Sequence, residues 1–170
     1  AVALIGDVTA TTPEIKFTNK GRINAVGGGN IGVYTDGKYE FTHTNDAGND
    51  DSLIAAHQGA IGIYAKNPNG KLDITAPIFV GDSTSSNTTI GVYSDGDAYV
   101  KFGEGSKLVI KTGAVGLYSA DATKFKDTFK VESGKKLEVD LGTNSTFGLF
   151  NAASPTILKA GEYLENNSIN

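Results

Sequence analysis

The sequence predicts an all-β fold, a three-sided parallel β-helix (β-solenoid) of about five to six coils. The first observation is a recurring motif: Ile31-Gly32-Val33-Tyr34, Ile61-Gly62-Ile63-Tyr64, Ile90-Gly91-Val92-Tyr93, Val115-Gly116-Leu117-Tyr118 and Phe147-Gly148-Leu149-Phe150. The motif glycines are 30, 29, 25 and 32 residues apart, and Ile5-Gly6-Asp7-Val8 is a weaker sixth copy. A period of roughly 28 residues is typical of stacked solenoid units, none of which can bury its apolar face alone.

The second observation is a pair of short apolar alternations between successive motifs, in the same order each time. The first set is Ile15-Lys16-Phe17, Tyr39-Glu40-Phe41, Leu72-Asp73-Ile74, Val100-Lys101-Phe102 and Phe129-Lys130-Val131. The second set is Ile23-Asn24-Ala25, Leu53-Ile54-Ala55, Ile78-Phe79-Val80, Leu108-Val109-Ile110 and Leu137-Glu138-Val139. Period-two alternation predicts strands with one buried face, so three strands and three turns make one coil. A β-sandwich is the alternative, but it gives no reason for a fixed repeat.

Stacked coils place equivalent residues above one another at a spacing of about 4.8 Å. We predict two buried columns, Ile31, Ile61, Ile90, Val115 and Phe147, and Val33, Ile63, Val92, Leu117 and Leu149. Strand alternation then places the motif glycines and tyrosines outward or at a corner. It also predicts an outward column of Lys16, Glu40, Asp73, Lys101 and Lys130. In that column Lys16 above Glu40 is favourable, whereas Glu40 above Asp73 is not.

Composition and charge narrow the class of protein. The 170 residues include 22 glycines, carry a net charge of −4 and contain no cysteine, so disulfides and thiolate zinc sites are excluded. We predict no nucleic-acid partner and no membrane contact by this segment, because basic residues are not clustered and no apolar run approaches a membrane span. A start at Ala1, without methionine or a visible signal peptide, indicates a single β-helix segment over 1–170 from a longer protein.

The aromatic residues of the motif form a candidate binding surface. Its members are Tyr34, Tyr64, Tyr93, Tyr118 and Phe150. The structural interpretation, which we favour, is that the rings stack from coil to coil and cover the glycine backbone. The functional interpretation is an aromatic surface that binds a glycan or a partner protein, since exposed tyrosines are good anchors.

A second candidate surface is the longest departure from the repeat, an insertion over residues 42–52. It contains His43 and three aspartates, Asp46, Asp50 and Asp51. Clustered carboxylates are ligands that calcium prefers, but their spacing does not match an EF-hand loop or the calcium-binding nonapeptide. We therefore interpret the insertion as an ordinary polar loop and predict no metal and no cofactor.

The sequence offers little for catalysis. His43 and His57 are the only histidines, and neither a Gly-x-Ser-x-Gly motif nor a phosphate-binding glycine loop is present. Asp36 and Asp95 occupy equivalent turns two coils apart, about 9.6 Å along the axis, which matches an inverting carboxylate pair by separation alone. Because Asp-Gly is also a common turn dipeptide, we predict that the chain is not an enzyme.

The repeat resembles a known family. The motif Ile-Gly-Val/Ile-Tyr followed by Ser/Thr-Asp-Gly, as in 90–96, with Gly-Lys-Leu strands such as 70–72 between copies, is similar to passenger domains of type V autotransporters. It is most similar to the large fusobacterial autotransporter adhesins, and the resemblance covers nearly the whole chain. The resemblance implies a right-handed parallel β-helix that is exported across the outer membrane and displayed on the cell surface, where such passengers act as adhesins in virulence.

These observations leave two functions from different classes. The first is a non-enzymatic adhesin or stalk segment that mediates cell–cell or host attachment, with a host or bacterial surface protein or glycan as partner. The alternative is a carbohydrate-active β-helix enzyme, either a polysaccharide hydrolase or a lyase. The uncapped ends of a solenoid segment also predict end-to-end self-association.

Overall fold

The computed structural model describes residues 1–13, 15–46, 51–66, 70–95, 98–121, 124–150 and 156–158. Of residues 125, 126, 147–150 and 156–158 it describes the backbone. Three parallel sheets stack as a β-solenoid of about four turns, which confirms the predicted fold class with slightly fewer coils. The described residues contain one short helix, α1 (Phe125–Thr128), and no helix long and apolar enough to span a membrane.

Each coil contributes one strand to each sheet. The first sheet contains β1 (Val2–Ile5), β4 (Ile31–Asp36), β7 (Ile61–Ala65), β10 (Ile90–Ser94), β13 (Val115–Ser119), β16 (Thr146–Phe150) and the antiparallel β17 (Thr156–Leu158). The second contains β2 (Ile15–Asn19), β5 (Tyr39–His43), β8 (Lys71–Ile74), β11 (Tyr99–Phe102) and β14 (Phe129–Val131). The third contains β3 (Arg22–Val26), β6 (Leu53–His57), β9 (Pro77–Val80), β12 (Lys107–Ile110) and β15 (Glu138–Leu141).

The recurring motif occupies the first sheet in register over four coils. Tyr34 pairs with Tyr64, Tyr64 with Tyr93, and Tyr93 with Tyr118. The second predicted core column is confirmed over these coils: Val33, Ile63 and Val92 are fully buried and Leu117 is 1% exposed. The repeat therefore aligns identical residues in space, as the solenoid prediction requires.

The first predicted core column is only partly correct. Val115 is buried, but Ile31, Ile61 and Ile90 are half-buried. The reason is that the motif glycine, and not the residue before it, faces the interior. A Cβ on Gly62 would lie 3.4 Å from the inward Ile54 Cγ2 and 2.7 Å from the carbonyl oxygen of Gly91.

The motif glycines were predicted to lie outward or at a corner, and of these two placements the outward one is wrong. Gly91 repeats the arrangement of Gly62, with a Cβ placed 2.6 Å from the carbonyl oxygen of Gly116 and 2.7 Å from Val80 Cγ2. Simple alternation fails here, because the glycine and the following residue both point inward where the first sheet meets the third. Only a residue without a side chain fits between a carbonyl of the next coil and the side chains of the third sheet.

The two ends of the first sheet also depart from the predicted register. The weaker copy at Ile5-Gly6 is not a repeat unit, because Ala3 pairs with Tyr34 and Ile5 pairs with Asp36.

At the other end Leu117 pairs with Gly148, one residue away from the predicted Leu149. The predicted column positions of Phe147, Leu149 and Phe150 are therefore wrong in register, and the burial of their side chains lies outside the described residues.

The outward column of the second sheet is stabilised by a different register from the one predicted. Glu40 pairs with Lys71 and not with Asp73, so the expected repulsion does not occur. The observed register between β5 and β8 differs from the predicted one by two residues. Tyr39 and Phe41 stay buried, because side chains on a strand alternate between its two faces with a period of two. The predicted ion pair is present, at 2.9 Å between Lys16 Nζ and Glu40 Oε2, and a second pair joins Lys101 Nζ to Asp73 Oδ1 at 3.1 Å.

The predicted exposure of this column holds at its two ends. Lys16 and Lys130 are exposed, whereas Glu40 and Lys101 are half-buried. In the third sheet, Ile23 pairs with Ile54 and not with Leu53, the first residue of the corresponding predicted strand. Leu108 likewise pairs with Val139 and not with Leu137.

Candidate binding surface

Four stacked tyrosines, which we call the tyrosine ladder, run along the outer face of the first sheet. They are Tyr34 on β4, Tyr64 on β7, Tyr93 on β10 and Tyr118 on β13. Their ring centroids are 5.5, 4.6 and 4.9 Å apart, with interplanar angles of 34°, 25° and 9°. The coil-to-coil stacking predicted by the structural interpretation is present. Phe150 is not a fifth member, because Tyr118 pairs with Leu149.

Stacking decides which part of each tyrosine ring remains accessible to a binding partner. Tyr34, Tyr64 and Tyr93 are half-buried and Tyr118 is buried. Both ring faces of Tyr64 and Tyr93 are covered by neighbouring rings, so these two residues present ring edges and hydroxyl groups. Burial raises the pKa of Tyr93 to about 12, helped by Tyr64 and Asp95, and burial also raises the pKa of Tyr64. Both hydroxyls therefore stay protonated, and able to donate hydrogen bonds, to a higher pH than an ordinary tyrosine hydroxyl does.

A row of alternating charges lies next to the tyrosine ladder. Lys66 Nζ is 3.2 Å from Asp36 Oδ2, and the same oxygen accepts a 3.3 Å hydrogen bond from the Tyr34 hydroxyl. Asp36 raises the pKa of Lys66, chiefly because its carboxylate accepts a hydrogen bond from the Lys66 ammonium group. The backbone N–H of Asp95 donates to the carbonyl of Ala65, so Asp36, Lys66 and Asp95 belong to three successive coils.

Lys66 was missed by the sequence analysis, although the repeat contains its signal. The residues after the motif are Thr35-Asp36, Ala65-Lys66 and Ser94-Asp95, so a lysine replaces the aspartate in the middle coil. Lys66 belongs to the coil between the two aspartates considered as an inverting pair, and its ammonium group forms an ion pair with Asp36. Opposite charges on neighbouring strands stabilise a sheet.

The insertion begins later than predicted, because Thr42 and His43 belong to β5. His43 is fully buried and lies directly beside the inward residues of the neighbouring coils. Its Nδ1 is 3.1 Å from Asn19 Nδ2, and its Nε2 is 3.1 Å from the carbonyl oxygen of Pro77. Asn19 also donates to the carbonyl of Gly21 and accepts from the N–H of Gly21, which fixes its amide orientation. His43 therefore accepts at Nδ1 and donates from Nε2, as the neutral imidazole does.

The structure describes two of the three aspartates of the insertion. Asp46 forms an ion pair with Lys20, and Asp51 is exposed. Asp50 lies outside the described residues. Within 1–46, 51–66 and the other described ranges, no group of three His, Asp or Glu side chains is placed to hold a metal ion.

Acidification should destabilise the protein through His43. Burial lowers the pKa of His43 below its ordinary value of 6.5, so the unfolded chain binds this proton more readily. The contribution of His43 to the free energy of unfolding is fully present above pH 6.5 and is lost as the pH falls toward the folded-state pKa. The loss is at most about 1.4 kcal/mol per pH unit. Urea unfolding at several pH values between about 7.5 and 5 measures this slope, since most carboxylates remain ionised in that window.

A pair of variants isolates the histidine responsible. His43→Phe should flatten the slope, since Phe102 fills the equivalent inward position two coils further along. His57→Gln replaces the other histidine and is the comparison variant, in which the part of the slope caused by His43 should persist. A slope that persists in His43→Phe would contradict the assignment.

Comparison of the chain with protein-family models, with curated proteins and with solved structures finds no match. The class of molecule is therefore defined by the fold and the surface, as a parallel β-solenoid with an in-register tyrosine ladder.

Proposed function

We propose that this chain is a non-enzymatic stalk or adhesion segment of a cell-surface adhesin. The observation that carries the proposal is the tyrosine ladder, in which tyrosine is repeated in register over four coils and stays partly exposed in three of them. Stacked tyrosines give a solenoid a continuous lateral surface that lengthens with each added coil. Solenoids commonly bind partners along such extended surfaces, and tyrosine is enriched among the residues that dominate interface energies.

The scaffold also suits a stalk. Neighbouring coils are hydrogen-bonded in all three sheets, so each coil is held along its whole length by the next. Ion pairs between coils, such as Lys16–Glu40 and Lys101–Asp73, reinforce the stack from outside. The resemblance of the repeat to autotransporter passengers supports export across the outer membrane and a partner on a host or bacterial surface, either a protein or a glycan.

Removing two rings from the ladder should weaken adhesion while the fold persists. Tyr64→Ala together with Tyr93→Ala removes the central pair, whose centroids are 4.6 Å apart. Stacking contributes about 0.5–1.5 kcal/mol per pair, so we expect a lower melting temperature but a folded protein. Attachment of protein-coated beads to a panel of bacterial and epithelial cells measures the effect.

The matched control keeps the rings and removes the hydroxyls. Tyr64→Phe with Tyr93→Phe preserves stacking, so adhesion lost in this variant would assign binding to the hydroxyls that the stacked rings present. If beads coated with the double-alanine variant attached to cells as well as beads coated with the parent protein, the tyrosine ladder would not be the adhesive surface.

A carbohydrate-active enzyme is the second candidate, because Asp36 at the end of β4 and Asp95 directly after β10 belong to coils two apart. The Lys66 ammonium that pairs with Asp36 favours a structural role for these carboxylates. Incubation of the protein with a panel of polysaccharides, followed by assays for new reducing ends and for unsaturated lyase products, tests this alternative. Product formation that disappears in Asp36→Asn or Asp95→Asn would replace the adhesin proposal.

A further inference from the structure

A cleft of about 600 Å³ lies along the solenoid corner where the second sheet turns into the third. Its origin is a difference in turn length between coils. The connection from β8 to β9 consists of Thr75 and Ala76 alone, whereas residues 44–52 connect β5 to β6 and residues 103–106 connect β11 to β12. The short turn leaves a recess with Pro77 on one side, between Asn45 and the turn that contains Glu104.

Five charged side chains line this cleft, three lysines and two glutamates. Lys135 Nζ is 2.7 Å from Glu104 Oε2, and Lys107 Nζ is 3.5 Å from Glu138 Oε2. The third lysine, Lys136, is exposed, and no ion pair links it to a carboxylate in the described part of the chain. The described lining therefore carries one more positive than negative charge, on a chain whose net charge is −4.

We propose that this cleft binds an acidic saccharide, meaning a sugar residue that bears a carboxylate. The Lys136 ammonium is available for the carboxylate in a charge-assisted hydrogen bond. Glu104 and Glu138 accept hydrogen bonds from sugar hydroxyls, and the Pro77 ring provides an apolar surface for one face of the sugar. The cleft volume is within the range of small-ligand sites and accommodates one or two sugar rings.

This site is separate from the tyrosine ladder, which lies on the outer face of the first sheet. Its occupancy does not depend on the proposed adhesion through tyrosines, and either proposal can fail without the other. The combination of lysines, carboxylates and an apolar ring in one recess distinguishes the cleft from the outward column of the second sheet, where the described charges pair across a flat strand surface.

Titration of the protein with glucuronate, and with glucose as the matched neutral sugar, tests the proposal by NMR chemical shifts. We expect saturable binding of glucuronate with a Kd on the order of 1 mM, and binding of glucose weaker by about fivefold or more. Lys136→Gln should weaken glucuronate binding by about fivefold, because it removes the charged donor and keeps the side-chain length.

Two control variants complete the design. Lys130→Gln removes a lysine from the second sheet outside the cleft, and Tyr64→Ala alters the tyrosine ladder. Both should bind glucuronate as the parent does. Equal affinity for glucose and glucuronate, equal weakening by Lys136→Gln and Lys130→Gln, or no saturation in the parent at tens of millimolar would each overturn the proposal.

Discussion

Ile63→Asp should unfold the protein at room temperature or lower its melting temperature drastically. Ile63 is fully buried on β7, in register between Val33 of the preceding coil and Val92 of the next. An unpaired carboxylate in such a site costs several kcal/mol or takes up a proton. Either outcome removes a large part of a total stability of about 5–15 kcal/mol. Circular dichroism during heating measures the loss of β structure.

The matched control is the same substitution at an exposed apolar residue. Val26 is 50% exposed and pairs with His57, so Val26→Asp should lower the melting temperature far less than Ile63→Asp. If Ile63→Asp melted within about two or three degrees of the parent, the column of Val33, Ile63 and Val92 could not be the core of the solenoid.

Gly62→Ala should destabilise the protein by about 3 kcal/mol, although it adds a single methyl group. That methyl would lie 2.7 Å from the carbonyl oxygen of Gly91 and 3.4 Å from Ile54 Cγ2, so the backbone of the next coil would have to move. For a chain of this length the expected decrease in melting temperature is about 6–12 °C. Thermal and urea unfolding followed together measure it.

Gly21→Ala is the control for the glycine column. A Cβ at Gly21 meets no heavy atom within 4 Å, so alanine should be neutral there or slightly stabilising through the unfolded state. If Gly62→Ala and Gly21→Ala had equal stabilities, close contact between coils would not be the reason for glycine in the motif.

Much of the scaffold could be predicted from the repeat. The period, the three strands per coil and the stacking of Tyr34, Tyr64, Tyr93 and Tyr118 follow from residue order alone, because identical units stack most simply in register. The candidate surfaces could be predicted less well. Lys66 is the exception in a column of aspartates, and a repeat predicts only the residues that recur.

The cleft at the corner of the second and third sheets could not be predicted either. It arises from unequal turns in neighbouring coils, and its lining combines Asn45, Pro77 and the turn residues of two later coils. A repeat indicates which residues are equivalent, but it does not show how far one turn extends beyond the next.

The sequence by itself determined that this chain is a parallel solenoid and which residues form its central core column. The tertiary structure alone decided that the motif glycines face inward, that Glu40 pairs with Lys71 and that His43 is buried. Each of these depends on contacts with a neighbouring coil or sheet. Alternation along one strand specifies two faces, but the packing of the next coil decides where a bend turns two consecutive residues inward and which register satisfies both faces.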